Sequence, residues 1–134
     1  MASSIAIVAG SFHRELVEKM VDEARKTASE NDLIIEEVSW VPGSMEVPLQ
    51  LKRLLIRESI DGAVVLGIIE KGETDHGFVM GQAVTKGIID LQLTSMKPIG
   101  YGIIGPGAKD NQIEARLVPY ARKAVLAVSE MLFN

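Results

Sequence analysis

Residues 63–77 read Ala63-Val64-Val65-Leu66-Gly67-Ile68-Ile69-Glu70-Lys71-Gly72-Glu73-Thr74-Asp75-His76-Gly77. The apolar run through Ile69 reads as a buried strand. Beyond the polar part, Met80, Val84, Ile88 and Leu91 recur at helical spacing. A glycine-bounded polar turn therefore leads from the C-terminal end of a strand into a helix N-terminus. Thr74 or Asp75 suits the N-cap. Free N–H groups and the positive end of the helix dipole favour an anion at this point. His76 lies in the same turn and can move a proton near neutral pH. An anion site beside a proton shuttle points towards an enzyme, although for an arbitrary histidine a surface cap is the commoner role.

On the N-terminal side, Ile5-Ala6-Ile7-Val8-Ala9 is an apolar run ended by Gly10. It reads as a first buried strand. Val17, Met20, Val21, Ala24 and Ala28 then share one helical face, and Asn31-Asp32 closes that helix. Leu33 to Trp40 is a second strand. Val41-Pro42-Gly43-Ser44 is a turn, and a helix with Val47, Leu51, Leu54 and Leu55 inward follows. Pro48 is tolerable only in a first turn, which places that helix start near Met45. On the C-terminal side, Lys97-Pro98 stops the central helix. Ile99 to Ile104 is a fourth strand, with Gly100 and Gly102 leaving one face bare for close packing or a ligand. Gly105-Pro106-Gly107 reads as a stiff loop. Asn111 to Val118 reads as a short helix that Pro119 kinks or breaks, and Ala121, Val125, Val128 and Leu132 define a last helical face.

Strand and helix alternate four times, which indicates an α/β three-layer sandwich around one four-stranded parallel sheet. Residues 1–134 read as a single domain, long enough to bury a sizeable core. Ligands of such sheets bind at the carboxyl ends of the strands, near the point where strand order reverses. The turns at 10–13, 41–46, 70–77 and 105–109 all follow strands, so their polar residues gather at one end.

Other functions are disfavoured by composition. A net charge of −4, with basic residues scattered singly or in pairs, argues against a nucleic-acid binder. The chain contains no cysteine, which removes disulfides, thiolate zinc sites and thiol nucleophiles. No apolar run reaches membrane-spanning length. The start, Met-Ala-Ser-Ser, lacks the basic segment of a signal peptide, so a soluble, cytoplasmic protein is expected. Dinucleotide, P-loop and nucleophile-elbow glycine patterns are absent. Two histidines without a tight carboxylate cluster disfavour a metal site.

Individual residues carry competing readings. Glu46 can accept a hydrogen bond from a ligand, or simply complement a helix dipole. Arg116 is either a solvated side chain or an anion clamp. Phe12 and Tyr101 stand at or beside strand ends, where core packing is the plainer role. His13 reads as structural, and Arg122-Lys123 as a solvated face.

Taken together, Val8-Ala9-Gly10-Ser11-Phe12, Val41-Pro42-Gly43-Ser44-Met45-Glu46-Val47-Pro48, Leu66-Gly67 through Gly72-Glu73-Thr74-Asp75-His76, and Gln112-Ile113-Glu114-Ala115-Arg116 resemble the 6,7-dimethyl-8-ribityllumazine synthase family over nearly the whole chain. The Gly105-Pro106-Gly107 segment is similar to its archaeal branch. The resemblance implies a flavodoxin-like sheet in the order 2-1-3-4. It implies a homopentamer, or an assembly of pentamers, with active sites between neighbouring subunits. The reaction implied joins 5-amino-6-(D-ribitylamino)uracil to 3,4-dihydroxy-2-butanone 4-phosphate, the penultimate step of riboflavin biosynthesis, with no cofactor and no metal. By the match, Phe12 stacks on the pyrimidine, and Ser44 and Glu46 hold the ribityl chain. Met45, Ile68 and Ile69 complete the substrate pocket. Gly72, Glu73 and Thr74 offer backbone donors to the phosphate, and His76 shuttles protons. Arg116 of a neighbour clamps the phosphate, and Tyr101 takes the place of a neighbour-supplied aromatic. The chain departs from the family in having Gly77, then Phe78, where Phe usually follows the histidine. It also has Val118-Pro119-Tyr120-Ala121 after the arginine in place of a Gly-Asn-Lys-Gly segment. An archaeal-type riboflavin synthase shares the fold, but fits the Gly-Glu-Thr-x-His turn less well. A non-catalytic flavin or lumazine binder would have no use for both His76 and Arg116. An oligomer is also expected because Leu117, Val118 and Met131 would be poorly covered in a lone chain.

Overall fold

Each apolar run becomes a strand of one sheet in the computed structural model, which describes residues 2–133. The strands are β1 (Ser3–Gly10), β2 (Leu33–Val41), β3 (Gly62–Glu70) and β4 (Ile99–Ala108). They pair in parallel in the order β2-β1-β3-β4. The helices are α1 (Arg14–Glu30), α2 (Val47–Leu55), α3 (His76–Ser95) and α4 (Asp110–Phe133). Alternation along the strands decides what each helix covers. Ile5, Ile7 and Ala9 of β1, with Val64, Leu66 and Ile68 of β3, pack under α1 and α4. Ala6 and Val8, with Ala63, Val65 and Ile69, pack under α2 and α3. Three layers result, and strand order reverses between β1 and β3, the position where such sheets bind ligands.

The helical faces read from spacing are the buried ones: Val17, Met20, Val21, Ala24 and Ala28 in α1, and Val47, Leu51, Leu54 and Leu55 in α2. A 3-10 turn at Ser44–Glu46 precedes α2 and puts Pro48 in its first turn, where no N–H is needed. The bare glycine face of β4 serves packing. A Cβ on Gly102 would lie 2.8 Å from Leu66 Cδ2 and 3.3 Å from Ala124 Cβ, and one on Gly100 would strike the Ala124 carbonyl oxygen. Those two glycines set how closely α4 approaches the sheet.

Three expectations need correction. Gly105-Pro106-Gly107 is not a loop between elements: β4 continues through it to Ala108. Register runs from Ile68 opposite Ile104 to Glu70 opposite Ala108, so the extra residues bulge out while pairing resumes beyond them. Gly105 and Gly107 supply the positive φ values, 96° and 90°, that this bulge requires. Second, α4 is one continuous helix with Pro119 inside it. Ile113, Leu117, Ala121, Ala124 and Val125 form one buried stripe across the proline. Pro119 itself is exposed, so water can satisfy the carbonyl that it leaves without a donor. Third, Leu117 is only 3% exposed and belongs to the chain's own core, whereas Val118 at 48% and Met131 at 65% are uncovered. Arg122 and Lys123 lie on an exposed face, as read from the sequence, and the Arg122 guanidinium lies 3.7 and 3.5 Å from the carboxylates of Glu23 and Glu30 of α1.

Candidate active site

Three strand ends and a helix start enclose a cavity of about 410 Å³. Phe12 enters it from the turn after β1. Gly43, Ser44, Met45 and Glu46 enter from the turn after β2. Ile68, Ile69 and Glu70 form the end of β3, and Gly72, Thr74, His76, Gly77 and Met80 come from the following turn and α3. Ile68 and Ile69 are buried, so the floor is apolar. The rim carries hydroxyl, carboxylate and imidazole groups. A planar ring suits the floor and a polyol suits the rim.

His76 is the first residue of α3, and its backbone N–H donates to Thr74 Oγ1 at 3.3 Å. Asp75 occupies the N-cap position but makes no side-chain capping bond. Thr74 thus serves the first N–H of α3 and Asp75 none, and a helix start at the cavity is the kind of place that favours a bound anion. At Gly72 a Cβ would meet no atom within 4 Å, and its φ is not positive. Neither packing nor backbone conformation requires glycine at that position.

Phe12 is 53% exposed and does not pack in the core, contrary to the plainer sequence reading. Tyr101 is 36% exposed and does not do so either. Its hydroxyl lies 2.9 Å from Thr85 Oγ1, in a separate groove between α3 and β4. Phe78 lies in that groove as well; a Cβ on Gly107 would come 3.1 Å from its Cζ. The ring that follows the histidine is therefore turned away from the cavity, and Gly77 lines the cavity instead. Glu73 is exposed in the turn between Gly72 and Thr74 and is not part of the lining. Arg116 sits on α4 beside the β4 bulge, with its guanidinium donating to the Gln112 carbonyl at 3.0 Å. Within one chain, then, Phe12, Ser44, Met45, Glu46, Ile68, Ile69, Gly72, Thr74 and His76 share one cavity, and Tyr101 and Arg116 line other recesses. Among the described residues, no group of three or more His, Asp or Glu is arranged to hold a metal ion, and no helix is long and apolar enough to cross a membrane.

Glu70 and His13 did not stand out in the sequence as site residues. Glu70 lines the cavity, and its Oε2 lies 3.0 Å from His13 Nε2. The two are 57 residues apart in the chain. The one available signal was that both positions follow strand ends, and it is too general to pair them.

Fold and cavity define an α/β protein with a recess of small-molecule size at the strand C-termini, and a helix start and a histidine at its edge. The family model for 6,7-dimethyl-8-ribityllumazine synthase matches residues 2–134. Proteins of that name from Metallosphaera sedula and Staphylothermus marinus are each 38% identical to this chain. They align over 95% and 96% of it, and over 84% and 85% of their own lengths. The corresponding protein of Picrophilus torridus is 37% identical over 96% of this chain and 93% of its own. The chain belongs to the 6,7-dimethyl-8-ribityllumazine synthase family, the transferases of the condensation step in riboflavin biosynthesis.

Proposed function

We propose that the protein condenses 5-amino-6-(D-ribitylamino)uracil with 3,4-dihydroxy-2-butanone 4-phosphate, and that the cavity between the strand ends is where it does so. The observation that carries this is the convergence of Phe12, Ser44, Glu46, Gly72, Thr74 and His76, from three separated turns, on one cavity with an apolar floor and the start of α3 at its edge. Phe12 stacks on the pyrimidine, while Ile68 and Ile69 lie beneath the ring. Ser44 and Glu46 bind ribityl hydroxyls. The phosphate takes the N–H groups of Gly72, Glu73 and Thr74. His76 exchanges protons with the reacting amine and carbonyl.

The chemistry asks little more of the protein. The pyrimidine amine attacks the ketone carbonyl, water leaves as the imine forms, phosphate is eliminated to leave a second carbonyl after tautomerisation, and the ribityl-bearing amine attacks that carbonyl to close the ring and expel a second water. No protein nucleophile is needed. Holding two substrates in register can supply up to roughly 7–11 kcal/mol. One well-placed acid–base group adds about 10²–10⁴-fold. Arg116 and Tyr101 are assigned to the cavity of a neighbouring subunit in a homo-oligomer, a pentamer or an assembly of pentamers. Residues 1–134 act as one domain, and the cytoplasm is the proposed compartment. Mixing the purified protein with both substrates and following lumazine fluorescence tests the reading. Product formation no faster than the uncatalysed reaction would overturn it.

A further inference from the structure

His13 combines a strained backbone with a misdirected cap. It occupies the N-cap position of α1, with φ 58° and ψ 45°, in the left-handed region that a residue with a Cβ rarely adopts. An N-cap side chain ordinarily accepts a hydrogen bond from the first turn of its helix. His13 makes no such bond. Its carbonyl still accepts the N–H groups of Leu16 and Val17, at 3.0 and 3.1 Å, so the helix start is held by backbone alone. The imidazole is directed across the switch point, with Nε2 3.0 Å from Glu70 Oε2 at the end of β3. It also packs against Phe12. The two rings meet edge to face, with centroids 4.4 Å apart and planes at 62°.

Glu70 is fixed at its backbone. It pairs with Ala108 in the resumed β3–β4 register, and the next residue, Lys71, donates its N–H to the Ala108 carbonyl at 3.2 Å. The turn carrying Phe12 is also held on its other side. Ser11 N–H donates to the Val41 carbonyl at 2.8 Å, and the Arg14 guanidinium lies 4.1 Å from the centre of the Trp40 ring. The turn is thus tied to β2 by its backbone and by Arg14, and among the described residues its polar link to β3 is the His13 side chain.

We infer that the His13–Glu70 pair is a clamp that positions Phe12 over the cavity and so sets the affinity for the pyrimidine substrate. The inference rests on the pyrimidine assignment made above for this cavity. Backbone strain at a functional turn persists where surrounding contacts enforce it. Here the left-handed turn at His13 aims the imidazole at Glu70, and the imidazole buttresses the exposed Phe12 ring from the side. Neither residue transfers a proton in this scheme; both are positioning residues.

The test compares His13→Gly, His13→Gln, Glu70→Ala and the double variant His13→Gly/Glu70→Ala in the full-length protein. Binding of a ribitylaminouracil lacking the reactive 5-amino group is measured by calorimetry, and KM is measured for each substrate separately. Glycine relieves the left-handed backbone, so His13→Gly keeps its thermal stability yet binds the analogue about three- to tenfold more weakly. KM for the pyrimidine rises in parallel, and KM for the butanone phosphate stays within about twofold. His13→Gln retains an N–H donor near the Nε2 position and recovers most of the affinity. The double variant loses no more than the weaker single variant, because both changes break one contact. Wild-type affinity in folded His13→Gly, equal rises in both Michaelis constants, or additive losses in the double variant would each overturn the clamp. A wild-type protein that forms no lumazine would instead overturn the assignment of the cavity.

Discussion

His76 is assigned a task for which water is a poor substitute, while the ring, ribityl and phosphate contacts do not depend on its imidazole. His76→Ala is therefore expected to slow turnover about ten- to a thousandfold without abolishing it. Binding of the unreactive pyrimidine should change little. Unchanged turnover across the pH range would reduce His76 to a helix-start residue, and lost analogue binding with an intact fold would make it a binding group. Arg116 carries a different expectation. Its guanidinium faces only the phosphate in the proposed site, so Arg116→Ala should raise KM for the butanone phosphate far more than KM for the pyrimidine. The loss of a charge-assisted hydrogen bond corresponds to about 1.5–3 kcal/mol. Steady-state kinetics showing equal rises would contradict that role. The place of His76 at the cavity was legible in the sequence because its turn follows a strand end and a parallel sheet gathers strand ends; Arg116, within α4, was singled out by the family resemblance and by the chemistry of its guanidinium, not by position. The His13–Glu70 contact was not legible. It depends on β1 and β3 being neighbours and on a left-handed turn at a non-glycine residue, and no local pattern announces either.

Elements were legible where hydrophobic period and local propensity agree, and misread where they conflict. Pro119 forbids a helix by local rules, yet the stripe from Ile113 through Val125 keeps α4 whole. Gly105-Pro106-Gly107 looks like a loop, yet pairing with β3 resumes at Ala108. In both cases tertiary contacts outweighed a local preference. The same close packing makes Gly100→Ala costly. The added methyl would meet the Ala124 carbonyl, so α4 must shift; destabilisation of about 1–3 kcal/mol in urea unfolding is expected, and an unchanged midpoint would count against the packing account. Edge strand β2 is fastened electrostatically. Glu37 accepts from Ser39 Oγ at 2.6 Å and from Arg57 at 2.7 Å, and these bonds, the Ser39 one foremost, hold its carboxyl below its ordinary 4.5. Its folded pKa being depressed, the contribution is present above 4.5 and is lost as pH falls through the lower folded value. Glu37→Gln should therefore be less stable than wild type at neutral pH, with the gap closing in acid. A gap independent of pH would show that the charge contributes nothing.

At the scale of the whole molecule, the single chain leaves its proposed site short of two groups. Arg116 and Tyr101 lie in recesses apart from the cavity that holds His76. Val118 and Met131 are uncovered, as a chain surrounded by copies of itself would leave them. A ring built from head-to-tail contacts brings unlike surfaces of successive subunits together, so Arg116 of one chain can complete the cavity of the next. Light scattering that found only a stable monomer would exclude this arrangement. Complementation tests it more directly. His76→Ala, and Arg116→Ala at butanone phosphate concentrations below its raised KM, are each expected to be slow alone. If both residues of a site belonged to one chain, mixing the two variants would restore nothing, because every site would carry one defect. If they come from different chains, equal amounts of the variants, dissociated and reassembled together, generate sites with both groups intact. Random placement around a ring makes about a quarter of the sites wild type and another quarter doubly defective. Activity of the mixture should therefore climb well above that of either variant towards a quarter of the wild-type value, and only after reassembly. Activity that stays at the mean of the two variants, in oligomers shown by mass spectrometry to be mixed, would place the whole site within one chain and require Arg116 to reach His76 by a rearrangement of its own subunit.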